Sequence, residues 1–260
     1  MRLWQTKRHW ETWARVDPLW AVLTSPEKSG NRWRKEEFFA TGRATVEADI
    51  ACVKEVCPFL GDRRALDFGC GVGRLTQALA NHFREVVGID ISNEMVRQAV
   101  KLNPHGDRVR FVQNSGADLS LFSSDQFDFV YSLITLQHMD QAYARKYIAE
   151  FVRVAAAGGV IFFQIPAIKP PPSRSRPLTP GRRLWHLVNR SFPMQPVIEM
   201  HALPRDEVVG MLQAAGAKIL KVLSYGAAGD IASFGYLAVK HPPSSAKVTG
   251  QPEGVGPLLV

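Results

Sequence analysis

The chain has 260 residues, with 32 Lys and Arg against 24 Asp and Glu, a formal net charge of +8, and 46% hydrophobic residues. That length admits one large α/β domain or two small ones. The start, MRLWQTKRHWETWAR, lacks the apolar core of a secretory signal, no run reaches the roughly 18 apolar residues of a membrane span, and Cys52, Cys57 and Cys70 are too few and too poorly spaced for a disulfide framework or a zinc site, so a reducing cytoplasm is the expected setting.

Residues 1–43 form a Trp- and Arg-rich segment in which Trp10, Trp13, Leu19, Trp20 and Leu23 supply the apolar faces of short helices. Asp17-Pro18 marks a turn or a helix start. We expect this segment to be a helical lid. Gly42 suits a helix cap or a close backbone approach. Val46, Ile50, Val53 and Val56 then recur at helical spacing in a stretch that runs to Leu60, closed by Pro58 and Gly61. Next comes Arg64 to Asn81, RALDFGCGVGRLTQALAN, which reads as a buried strand, a turn of Gly69, Gly71 and Gly73, and the opening of a helix.

Val86 to Asp90 is a second buried strand ending in an acid, and Ser92 caps the helix from Asn93 to Leu102. Val109 to Val112 is a third strand, followed by the polar turn Gln113-Asn114-Ser115-Gly116. Phe127 to Ile134 is a fourth. Ala142 to Ala156 is a helix, and Gly158-Gly159 turns into a fifth strand, Val160 to Ile165. Residues 168–200 change character: they carry Lys169, Arg174, Arg176, Arg182, Arg183 and Arg190 with many Pro and Ser, and read as a basic insert with a short helix at Leu184 to Val188. Pro204 to Ala215 is a helix with Pro at its start. Ile219 to Leu223 and Phe234 to Val239 are closing strands, expected to pair antiparallel. Residues 241–260 are rich in Pro, Ser and Gly and read as a disordered tail.

Strands alternating with helices argue for a parallel sheet covered on both faces. Ligands of such sheets sit at the carboxyl ends of the strands. The glycine turn is where a backbone could approach one closely. It is not the dinucleotide fingerprint: counted from Gly69 the third glycine position holds Arg74, and counted from Gly71 it holds Thr76.

The pattern Asp67-x-Gly69-x-Gly71-x-Gly73 instead resembles the first motif of class I S-adenosylmethionine-dependent methyltransferases, including the small-molecule type 11, 12 and 25 domains. Asp90, about 20 residues on, stands where that family keeps an acid for the ribose hydroxyls. Asn114-Ser115-Gly116 stands where it reads the adenine, and the strand before Thr135-Leu136-Gln137-His138 where it ends near the transferred methyl. The resemblance covers about Val46 to Lys240. It implies a Rossmann-like doubly wound sheet of seven strands, mostly parallel with the last antiparallel, over residues 44–240 beneath the N-terminal lid. It implies S-adenosylmethionine as cofactor. Asp67 would receive the ammonium group of its methionine end, beside Gly69, Cys70, Gly71 and Gly73. Asp90 would accept the ribose hydroxyls, Ile91 and Met95 would sandwich the adenine, and Ser115, Gly116, Ala117 and Asp118 would meet its edge. Ser132 would lie at the end of the fourth strand.

The acceptor is not named by these residues. The Asn-Pro-Pro-Tyr type of motif used on many amide and adenine nitrogens is absent, as is a Cys pair for a thiol relay. O-methylation of a small-molecule or sugar-like metabolite is therefore the first expectation. A proton must then be removed. His138 after the fourth strand is one candidate base, His201 before the PRDEV helix another, and His186 in the insert a third. The alternatives are an RNA or protein methyltransferase whose basic insert meets phosphates, and a cofactor-binding protein without transfer activity.

Overall fold

The computed structural model describes residues 3–167, 198–225 and 232–241. Most of the basic insert, with its expected short helix and His186, and the tail beyond His241 lie outside the described residues.

Seven strands form one sheet: β1 (Arg64–Phe68), β2 (Glu85–Asp90), β3 (Val109–Gln113), β4 (Phe127–Ser132), β5 (Ala155–Pro166), β6 (Ala217–Tyr225) and β7 (Ser233–Lys240). Their order is β3-β2-β1-β4-β5-β7-β6. β1 to β5 pair in parallel, while β7 runs antiparallel to both β5 and β6. The expected architecture is thus present. The chain winds outward from β1 to β3 and then returns to β4 on the other side of β1. The carboxyl ends of β1 and β4 consequently flank the point where the winding reverses, and a crevice opens there.

Both faces of the sheet are buried, and the two-residue period of a strand distributes the side chains between them. Leu66, Val130, Ile161 and Phe163 point to one face, with Ile148, Phe151 and Val152 of α6 (Gln141–Val154) and Val208 and Leu212 of α7 (Arg205–Ala214). Ala65, Phe129, Tyr131 and Phe162 point to the other, with Val46, Ile50 and Val53 of α3 (Lys35–Val56) and Leu75, Ala78 and Leu79 of α4 (Arg74–Leu79). α5 (Asn93–Lys101) follows β2.

The lid consists of α1 (Leu3–Val16) and α2 (Pro18–Val22). Asp17 joins them. One carboxylate oxygen accepts the Trp20 amide, and the other accepts the amides of Gly30 and Asn31 at 2.7 and 2.9 Å. Around it Trp10, Trp13, Val22, Trp33 and Phe38 pack into a third apolar cluster, with Val72 of the glycine turn and Met95 of α5. The lid is therefore docked on the carboxyl edge of the sheet by apolar burial.

Four local expectations are revised. α3 is one helix of 22 residues that runs across position 43, so lid and sheet domain share an element. It ends at Val56 rather than Leu60, because the ring of Pro58 disfavours helical geometry at Cys57. Gly42 lies inside α3 rather than at a cap; it is a close approach, where a Cβ would overlap the carbonyl of Arg74. Strand β4 stops at Ser132, and Ile134 takes the left-handed conformation (φ 57°). No helix of the described residues is long and apolar enough to cross a membrane.

Candidate active site

A cavity lies at the carboxyl edge of β1, β2 and β4, beneath α1 and α2. Its empty space, open solvent at the mouth included, is about 960 Å³.

The floor is the turn after β1. The amides of Gly69 and Cys70 both donate to the Ile89 carbonyl, at 2.8 and 2.9 Å, which fixes the turn against β2. Gly69, Gly71 and Gly73 all have positive φ. At Gly69 a side chain is excluded twice over, by its φ of 78° and by Thr135, whose side chain fills the place of a Cβ. At Gly71 the lid residue Val22 fills that place. Cys70 is buried on the wall, and burial pushes its thiol well up from its ordinary range.

Two carboxylates, Asp67 buried and Asp90 half-buried, stand over this floor. Asp67, inside β1, accepts the Thr76 hydroxyl at 2.6 Å. Asp90, at the end of β2, accepts the amides of Gly71 and Ser92 at 2.9 and 2.8 Å. Burial is the main cause that raises both carboxyls, each to about 6, against the pull of those hydrogen bonds. Arg74 lowers Asp67 somewhat, whereas Glu11 of the lid raises Asp90. A cavity that holds two desolvated carboxylates favours a cationic or hydroxyl-bearing ligand.

Ile91, Met95 and Asn114 complete the side toward β3, and Met95 is nearly fully buried. Gly73 lies beneath the floor rather than on the wall; its φ of 87° starts α4, and the ring of Phe111 occupies the space of its missing side chain. Ser115, Gly116, Ala117 and Asp118 do not line the cavity. Asn114 holds their turn by accepting the Gly116 amide and donating to the Asp118 carbonyl. The Asp118 side chain pairs with Lys146 at 3.0 Å and accepts the Ser120 amide. Ser132 is buried below the wall and donates its hydroxyl to the Phe68 carbonyl at 3.0 Å, tying β4 to β1.

His138 lies on the opposite wall. Its Nδ1 is 2.9 Å from the Glu199 carbonyl, so Nδ1 carries the proton and Nε2 has the lone pair. Gln137 Nε2 lies 3.2 Å from that Nε2. Burial, with the nearby His201, lowers the imidazole below its ordinary value, so it is neutral at pH 7. His201 is bonded to Glu199 at 3.0 Å and through its amide to the Gln137 carbonyl; it supports the His138 turn and does not line the cavity.

Several wall residues have no motif to reveal them: Leu3, Thr6, Trp10, Val22, Met139 and Tyr147. Trp10 was legible only as part of a Trp-rich lid; its ring meets His138 edge-on at a centroid distance of 5.4 Å. Glu11, one residue on, reaches the start of α5 and accepts the amides of Asn93 and Glu94 at 2.7 and 3.2 Å.

Comparison with known proteins agrees with this geometry. Residues 65–159 match the family model described as a methyltransferase domain. Over 105 residues the chain is 33% identical to a ubiquinone biosynthesis O-methyltransferase of Methylococcus capsulatus, which covers 40% of this chain and 44% of that protein. The chain thus matches about half the length of such curated relatives. The fold is that of magnesium protoporphyrin IX methyltransferase from Synechocystis PCC 6803, solved with bound SAH (TM-score 0.58, 19% identity, 90% of this chain and 97% of that one). It is equally that of the (4+2)-cyclase SpnF (TM-score 0.59, 18% identity, 91% and 96%). Residues 65–159, which hold the glycine turn and the acid after β2, thus match a methyltransferase domain, and the sheet order around them is that of the solved methyltransferase fold.

Proposed function

We propose that the chain binds S-adenosylmethionine in this cavity and transfers its methyl group to an oxygen of a small-molecule acceptor. The observation that carries the reading is one cavity whose floor holds Asp67, the glycine turn and Asp90, and whose far wall holds a neutral imidazole. The residues fit that cofactor. Asp90 can accept ribose hydroxyls while it holds Gly71, and Ile91 and Met95 can flank an adenine. Asp67 matches the ammonium group. Asp118 is engaged by Lys146, so the adenine edge falls to Asn114 and the backbone after it.

When bound, the cofactor supplies an electrophilic methyl on a sulfonium. The chain's own tasks are to align an acceptor oxygen, exclude water and take a proton. α1 and α2 close the cavity from above, and His138 Nε2 is the group suited to take the proton. Leu3, Trp10, Val22, Leu133 and Met139 make the acceptor side apolar, which favours an acceptor with an apolar ring or chain over a sugar. The similarity to an O-methyltransferase of ubiquinone biosynthesis supports oxygen as the acceptor atom.

A second reading, cofactor binding without methyl transfer, is favoured by the equal likeness to SpnF, named as a cyclase. One experiment separates the two. The chain is incubated with methyl-labelled cofactor and a metabolite extract, and the products are identified by mass spectrometry. We expect label on an oxygen of a small molecule, with matching release of S-adenosylhomocysteine. Cofactor binding without any transferred label, to metabolites, protein or RNA, would establish the second reading.

A further inference from the structure

The lid helix α1 turns Leu3, Thr6 and Trp10 to the cavity from one face. Thr6 is only 6% exposed, and among the described residues its hydroxyl has no hydrogen-bond partner. A hydroxyl taken out of water without a partner is costly, so its burial here calls for a group that satisfies it. Threonines on other helical turns of the chain bond back onto their own helix. Thr12 donates to the Arg8 carbonyl at 2.9 Å, and Thr45 to the Thr41 carbonyl at 2.8 Å. The other hydroxyls of the cavity wall are engaged as well: Thr135 donates to the Leu133 carbonyl at 3.1 Å and Tyr147 to the Gly116 carbonyl at 2.7 Å.

Thr6 stands one helical turn before Trp10, whose ring meets His138. Its hydroxyl therefore serves the same side of the cavity as the imidazole, where Leu3, Trp10 and Met139 make the wall apolar. Two polar groups set in such a wall match two polar groups on one ligand. The imidazole also selects the oxygen to be methylated. A phenol titrates at about 10, as tyrosine does, and yields its proton to a neutral imidazole far more readily than an alkyl alcohol does.

We propose that the methyl acceptor is a phenol with a second oxygen beside the hydroxyl that is methylated, and that Thr6 selects it by hydrogen-bonding that second oxygen. The proposal rests on the function proposed above. A threonine hydroxyl both donates and accepts, so the second oxygen can belong to a hydroxyl or a carbonyl. An acceptor without it would seal Thr6 in the cavity unpartnered, and a site built in this way rejects the analogue that lacks the group.

The test compares two probes by calorimetry on the full chain saturated with S-adenosylhomocysteine. 4-tert-Butylcatechol and 4-tert-butylphenol share an apolar body and differ in one hydroxyl. We expect the wild-type chain to bind the catechol about tenfold more tightly than the phenol, the range of a buried hydrogen bond. Thr6→Ser keeps the hydroxyl and should keep that preference. Thr6→Val keeps the shape without the hydroxyl and should lose it, with S-adenosylhomocysteine affinity unchanged. Because Thr6→Val removes a group without a partner, it should fold at least as well as the wild type; should it not fold, Thr6→Ala removes the same hydroxyl and gives the same reading. A preference that survives loss of the hydroxyl, or a wild-type chain that binds both probes alike or binds neither, would overturn the proposal and leave the cofactor site standing. Failure of the wild-type chain to bind S-adenosylhomocysteine would remove the proposed function itself, and the acceptor selectivity with it.

Discussion

The carboxylate of Asp90 accepts the amide of Gly71 at 2.9 Å, so the acid that ends β2 holds the turn that follows β1. Two motifs 19 residues apart are thereby one structural unit. The same carboxylate faces the cavity, where it is offered to ribose hydroxyls in the proposed function.

Replacing Asp90 should separate these two duties. Asp90→Asn keeps a carbonyl oxygen for one amide and loses the second acceptor. We expect S-adenosylhomocysteine affinity to fall about 10- to 100-fold, as for loss of a hydrogen bond to a charged group. Stability should change little, because the variant also removes a desolvated charge. Calorimetry and thermal unfolding measure the two separately. Unchanged affinity would remove Asp90 from the cofactor site.

The two raised carboxyls set a pH dependence. In the folded chain Asp67 and Asp90 titrate at about 6, against 3.8 as the ordinary value. The folded state therefore holds these protons more tightly than the unfolded one. Their unfavourable effect on stability is greatest above pH 6 and is relieved as pH falls from 6 toward 4. Ligand binding has the opposite sign. A cationic cofactor binds best when both are ionised, so its affinity should fall as pH drops below 6, by up to about tenfold per pH unit for each proton. Calorimetry at pH 5.5 in buffers of different ionisation enthalpy should show protons released on binding. No proton release at that pH would count against a direct role of either acid.

Glu11 predicts how the lid is held. Its carboxylate caps α5 from another element, at Asn93 and Glu94, and Gln98 Nε2 donates to the Ala14 carbonyl at 2.6 Å in return. Glu11→Ala removes two acceptors from a helix start, worth about 0.5–2 kcal/mol. The loss should fall on docking of the lid rather than on the sheet. Hydrogen exchange of α1 amides should accelerate while β1 and β4 stay protected, and bound S-adenosylhomocysteine should leave several-fold faster. Wild-type exchange in α1 would show that the Trp cluster alone holds the lid.

The sheet was legible because period-two burial, glycine breaks and capping residues such as Ser92 are local signals, and the structure follows them closely. Asp67, Gly69, Cys70, Gly71, Asp90, Ile91 and Met95 were legible for the same reason: turn chemistry places them together on one wall. Trp10 and Val22 as wall residues were not, since only the packing of α1 and α2 on the glycine turn brings them there. Asp118 lies off the cavity wall, and its pairing with Lys146, 28 positions on, depends on where α6 lies. Gly42 was ambiguous for a like reason, as its neighbour is the backbone of Arg74 rather than anything nearby in sequence.

His138 carries the last prediction. Its Nδ1 is held by the Glu199 carbonyl, its neutral form is favoured by burial, and Trp10 covers its ring. If Nε2 takes the acceptor's proton, turnover requires the neutral imidazole. The rate should be flat at and above pH 7 and should fall on the acid side only below the ordinary histidine value of 6.5, because the group is lowered. His138→Ala should reduce transfer of labelled methyl about 10²- to 10⁴-fold, with S-adenosylhomocysteine affinity unchanged. Trp10→Leu should keep the base but shift the acid limb upward, since a more hydrated imidazole regains protons more readily. A His138→Ala variant that folds less well yet transfers normally per folded molecule would make the residue a clamp on the 199–203 segment, consistent with the bonds that His138 and Gln137 make there.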